Sequence, residues 1–125
     1  NSMFPYIQKG NLCRFVPCKP SLLKKGDVIL YYSQTGQLIA HRYVETTTVK
    51  NQLLFLLKGD TNLGFDQPIE EHWILGKLET VQKKQFKITA DHFIVRIWGK
   101  LILSFPILSG ILRNYLNRKL KLYFN

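Results

Sequence analysis

The chain has 125 residues, 46% hydrophobic and 21% charged, which is the composition of one globular domain and excludes a disordered segment. A chain of this size buries roughly two-thirds of its unfolded surface without staples, and two cysteines could close only one bridge, so a disulfide scaffold is excluded too. The net charge of +10 is unevenly placed: residues 1–76 hold 8 basic and 6 acidic residues, and residues 77–125 hold 10 and 2.

Leu12–Val16 reads as a short strand ended by Pro17. Lys25-Gly26-Asp27 is a turn signal, with Asp27 expected as a solvated turn acid, and it leads into the β-favouring run Val28–Tyr32. Ser33–Gln37 reads as a hairpin loop and Leu38–Val44 as the returning strand. Leu53–Leu57 is a further strand, stopped by Lys58-Gly59-Asp60. Trp73–Val81 alternates loosely around Gly76, where an isolated strand glycine predicts a bulge or a close backbone approach. Strands without intervening helices predict a mainly β, compact antiparallel structure.

The C-terminal part has a different pattern. Asp91 is placed to cap a helix starting near His92, and Phe93, Ile94, Ile97, Leu101, Ile102 and Phe105 follow helical spacing. Pro106 kinks or ends that helix. From His92 onward there are six basic residues, among them Arg113, Arg118, Lys119 and Lys121, and no acid. The expected organisation is therefore a β domain over residues 1–90 and a basic amphipathic helical tail over residues 91–125. The longest uncharged run of this part, Leu101–Leu112, has 12 residues; it is too short to span a bilayer and suits a helix lying in an anionic membrane interface. The alternative is a pair of helices packed on the sheet with their charges in water. There is no N-terminal signal pattern, and the chain opens Asn1-Ser2-Met3, so upstream residues are expected and an anchor there would lie outside this chain.

Serine chemistry needs a hydroxyl, a base to take its proton and a group to orient the base. Ser2 precedes the conformationally restricted Phe4-Pro5 pair. His41 lies on a predicted strand, and Asp60 is followed by Asp66 six residues later. An ordinary histidine, with a pKa of about 6.5, accepts a serine proton at neutral pH. Each feature alone is common in proteins without catalytic function. His72 and His92 have no matching partners and read as structural or solvated. Cys13 and Cys18 have no further ligand at metal spacing and read as free thiols, so no metal or other cofactor is expected. Trp73 and Trp98 read as packing residues, with Trp98 a second option as a membrane-interface marker.

Five motifs in order carry a resemblance. Ser2-Met3-Phe4-Pro5, Lys25-Gly26-Asp27-Val28-Ile29, His41-Arg42-Tyr43-Val44, Lys58-Gly59-Asp60-Thr61-Asn62 with Asp66, and Ile74-Leu75-Gly76-Lys77-Leu78 together resemble the type I signal peptidase family. The likeness is to its Ser–His–Asp branch, found in archaea, the endoplasmic reticulum and some bacteria, and it covers residues 1 to about 82. The other bacterial branch and the LexA-like self-cleaving repressors use a lysine base. The resemblance implies a compact antiparallel β-fold with the nucleophile near a membrane, and endoproteolysis of signal or leader peptides. It implies Ser2 as nucleophile, His41 as general base, Asp66 as the orienting acid and Asp60 as a second, supporting acid. It also implies that Met3 and Pro5 shape the turn and the substrate groove, and that substrates carry small residues at the cleaved position and two residues before it. An oxyanion donor is also required, and the Ser2 amide is one candidate. The cationic tail is not a standard family feature.

Other functions make different demands. A catalytically silent relative would capture extended peptides by strand addition, and the presence of Ser2, His41 and both acids argues against it. A basic β-module for nucleic acid would interleave aromatic and basic residues, a pattern present only at Arg14-Phe15 and Arg42-Tyr43, so no nucleic acid is expected. A self-cleaving repressor would need a lysine base and an upstream DNA-binding domain, and neither is visible.

Overall fold

The computed structural model describes residues 2–8, 10–83 and 87–124, with side chains through residue 117. Its strands are β1 (Leu12–Val16), β2 (Val28–Tyr32), β3 (Leu38–Val49), β4 (Gln52–Lys58), β5 (Ile69–Glu70), β6 (Ile74–Gln82) and β7 (Lys87–Thr89). They form one antiparallel seven-stranded sheet in the order β1-β6-β2-β3-β4-β5, with β7 also paired to β6. Two helices follow, α1 (Phe93–Ser104) and α2 (Pro106–Phe124). The structure is mainly β with a C-terminal helical tail, as the residue pattern predicts.

Local chemistry explains the hairpins. The β2–β3 turn closes with the Ser33 amide donating to the Gln37 carbonyl at 2.8 Å. β3 runs five residues beyond the expected Val44, because the β-branched Thr46, Thr47 and Thr48 continue the pairing with β4. The β3–β4 turn then places Lys50 and Asn51 at φ 51° and 65°, the left-handed pair of a two-residue hairpin. Gly76 sits where the chain pinches: a Cβ there would lie 2.5 Å from the Val16 carbonyl oxygen, and the β2–β6 register shifts beside it.

Alternation along β2 and β3 sends neighbouring side chains to opposite faces. Ile29, Tyr31, Tyr43, Phe55, Leu57 and Ile69 form one buried cluster. Met3, Tyr6, Val28, Leu78 and Val81 form the other, against which Ala40 and the α1 residues Val95 and Trp98 pack. α1 thus shares a core with the sheet. Its cap is His92, whose Nδ1 accepts from the Ile94 amide at 3.3 Å, while the expected cap, Asp91, pairs with Arg96 at 2.8 Å. Asp27 is not a solvated turn acid. It is buried, with Arg96 Nη1 2.7 Å from one oxygen and the Lys24 amide donating to the other.

Pro106 ends α1 and begins α2, and the two helices meet at a bend of 98°. No single helix among the described residues is long and apolar enough to cross a membrane, although α1 and the first part of α2 reach that composition together. The side chains of Arg118, Lys119 and Lys121 lie outside the described residues.

Candidate active site

Three segments converge: the turn carrying Ser2, the middle of β3, and the loop between β4 and β5. His41 pairs with Ile29 across the β2–β3 ladder and is 6% exposed. Its Nε2 lies 2.7 Å from Ser2 Oγ, and its Nδ1 meets Asp66 Oδ2. The same Asp66 oxygen accepts from the Tyr31 hydroxyl at 2.7 Å. Asp66 is itself tied to the sheet, its amide donating to the Leu57 carbonyl at 2.8 Å.

These contacts set the histidine's tautomer. A nitrogen facing a carboxylate carries the proton, so Nδ1–H donates to Asp66. Nε2 then keeps its lone pair and accepts from the Ser2 hydroxyl. The arrangement can move the serine proton and stabilise the imidazolium that results.

The residues that hold Ser2 come from the Lys58-Gly59-Asp60-Thr61-Asn62 segment. The Ser2 carbonyl accepts from the Thr61 amide at 2.9 Å and from Thr61 Oγ1 at 3.3 Å. At Gly59 a Cβ would lie 3.0 Å from His41 Nε2, 3.0 Å from Ser2 Cβ and 2.7 Å from Asn62 Nδ2. A methyl here would crowd both Ser2 and His41 where they meet over this turn. The residue types of this segment signal only the end of a strand; its grip on Ser2 is visible only in three dimensions.

Asp60, grouped with the catalytic residues in the sequence, has other partners. Arg42 Nε and Nη2 donate to its two oxygens at 2.6 and 3.0 Å, and Trp98 Nε1 donates at 3.2 Å. The cause is the alternation of β3, which turns Arg42 to the face opposite His41. Met3, expected at the substrate groove, is 4% exposed within the second core cluster and anchors the turn from inside. Pro5 is half-buried beside Phe4, whose ring stacks on Tyr115 of α2 at 5.7 Å. Asn1 lies outside the described residues.

α2 makes a second contact near the site. The buried Lys58 Nζ donates to the fully buried Ser109 hydroxyl at 2.8 Å. Burial pushes the Lys58 ammonium pKa down, and the nearby Asp60 charge opposes that shift. On the Asp66 side, an open pocket of about 280 Å³ is lined by Tyr31, Ile39, Asp66 and Ile69, with Ser33 and Thr35 on the hairpin.

Among the described residues no group of three or more His, Cys, Asp or Glu side chains could hold a metal ion. Cys13 and Cys18 are free thiols. No family model matches the chain, and no curated protein and no solved structure matches it.

Proposed function

We propose that this chain is a serine endopeptidase that cleaves signal or leader peptides at or near a membrane, with Ser2 as nucleophile and His41 as general base. One observation carries the reading: the unbroken relay from Ser2 Oγ through the His41 ring to Asp66, built from residues 39 and 25 positions apart. Chance rarely lines up three side chains in the order that acyl transfer needs.

The chemistry follows from the tautomer. His41 Nε2 takes the Ser2 proton as Oγ attacks the scissile carbonyl, giving a tetrahedral oxyanion. The imidazolium then gives that proton to the departing amine, and the peptide bond breaks to leave an acyl-serine. Water, deprotonated by the same nitrogen, attacks the ester; the proton returns to Oγ and the acid product leaves. Asp66 holds the ring and balances its charge throughout. The peptide class rests on the resemblance to type I signal peptidases and on the open pocket beside Asp66.

An anionic membrane is the proposed second partner. Phe93, Ile94, Ile97, Leu101, Phe105, Ile107 and Ile111 are all exposed along α1 and α2, and no acid follows Asp91. Each basic residue near an anionic surface contributes about 1 kcal/mol, and the apolar side chains add burial in the interface.

A fluorophosphonate probe tests the peptidase reading. It should label the protein at Ser2 and fail on Ser2→Ala; labelling elsewhere, or none, overturns the assignment. A leader-peptide library read by mass spectrometry then tests the preference for small residues. Sedimentation with liposomes tests the membrane: binding should require anionic lipid and weaken with salt.

A further inference from the structure

We propose that Tyr31 is a positioning residue for the His41–Asp66 pair: its buried hydroxyl fixes the orientation of the Asp66 carboxylate and shares its charge. The proposal rests on the serine-peptidase reading for its consequence and on independent geometry for its cause. Tyr31 pairs with Ile39 across the β2–β3 ladder, and His41 stands two residues along on the same face. The Tyr31 and His41 rings meet edge to face, with centroids 6.4 Å apart and planes at 64°. One side chain therefore packs against the base and bonds to its carboxylate.

Asp66 needs such a partner. It lies in the loop between β4 and β5, where its backbone is held by one bond to Leu57 and its carboxylate could otherwise rotate toward the open pocket. Tyr31 is 2% exposed, so its hydroxyl cannot swing into water. It donates to Oδ2, the oxygen that faces His41 Nδ1. Burial, followed by the bond to Asp66, pushes the phenol pKa well above its ordinary value, so it remains a donor wherever the protein is folded. A phenol that stays protonated is far less basic than a carboxylate and does not compete with Asp66 for the His41 proton. It can only keep the receiving oxygen in place and temper its basicity.

The test separates a packing role from a positioning role. Tyr31→Phe keeps the ring in its cluster and deletes one O–H. Tyr43→Phe deletes a hydroxyl from the same cluster, away from Asp66, and serves as the control. Two readouts are needed: the rate of fluorophosphonate labelling, and the downfield proton resonance of His41 Nδ1–H, which does not depend on catalysis. Tyr31→Phe should slow labelling about tenfold, the scale of one hydrogen bond to a charged group. It should also move the resonance downfield, while Tyr43→Phe changes neither. Site-specific fluorotyrosine at position 31, a stronger donor of nearly the same shape, should move the resonance upfield, and it covers the case in which Tyr31→Phe folds poorly. Wild-type labelling and an unmoved resonance in Tyr31→Phe, or no response to fluorotyrosine, overturns the proposal. If the wild-type protein is never labelled but the resonance still shifts in Tyr31→Phe and with fluorotyrosine, the peptidase reading falls and the positioning of His41 and Asp66 by Tyr31 stands.

Discussion

His41 and Arg42 are adjacent on β3, and each takes a carboxylate from the segment that follows β4, but on opposite faces of the sheet. The Arg42–Asp60 pair is sealed, with side chains 2% and 0% exposed. Arg42 also donates to the Gly26 carbonyl, and Asp60 also accepts from Trp98, so the pair joins the sheet to a turn and to α1. The His41–Asp66 pair is 8% and 19% exposed and ends on a serine hydroxyl, with an open pocket on its Asp66 side. Two carboxylates, each held by one of two adjacent residues of β3, thus sit in different settings. Where both partners are buried and each also bonds to a further element, the pair locks structure. Where one nitrogen faces a hydroxyl and water can reach the carboxylate, a proton can move.

Substitutions on the two faces should therefore fail in different ways. On the open face, Ser2→Ala and His41→Ala should abolish peptide cleavage while the melting curve stays near wild type. Asp66→Asn should lower turnover by about 10⁴, as tautomer and charge support are lost together. Full activity in any of these variants breaks the comparison.

On the sealed face, Asp60→Asn should act through folding. It leaves the Arg42 charge uncompensated in the interior, at a cost of about 3–5 kcal/mol read from denaturant unfolding. If it proves the more damaging change to turnover at full stability, the two acids have exchanged roles. Gly59→Ala touches both demands: the new methyl presses on His41 and Ser2. A drop in labelling rate of about ten- to a hundredfold with a small loss of stability is expected, read by probe kinetics beside thermal melting.

The smallest effect belongs to Asp91, which is exposed and paired with Arg96. The Arg96 hydrogen bond holds its carboxyl pKa below the ordinary value. A carboxyl depressed in the fold contributes stability above its unfolded pKa, and that contribution fades as pH falls through the folded value. Asp91→Asn should therefore cost less than about 0.5 kcal/mol at neutral pH, since solvent screens an exposed pair, and nothing in strong acid. Unfolding curves at pH 7 and pH 2 check the sign.

The residues differ in how much of this they disclose along the chain. The hairpin at Ser33–Gln37 and the corner at Pro106 are legible because they depend on local preferences of neighbouring residues. The Ser2, His41 and Asp66 positions are legible through the order of their motifs. Tyr31–Asp66 and Lys58–Ser109 join residues 35 and 51 positions apart and leave no local trace. Asp27 reads as a surface acid until α1 brings Arg96 over it. The brief strands β5 and β7 have too few residues to carry a period, and pairing with longer neighbours creates them.

The corner between α1 and α2 makes the tail two separate attachments. α1 reports to the sealed face through Trp98 and Arg96, whereas α2 reports to the Ser2 turn through Tyr115 and, through Ser109, to Lys58 opposite Arg42. A chain ending at Ser104 would keep the first attachment and lose the second. Lys58 would then regain water and lose the burial that lowers its pKa, and Phe4, two residues from the nucleophile, would lose its stacking partner. Whatever pulls on α2, a lipid surface included, is thus mechanically close to the serine, while α1 bears the load of holding the fold.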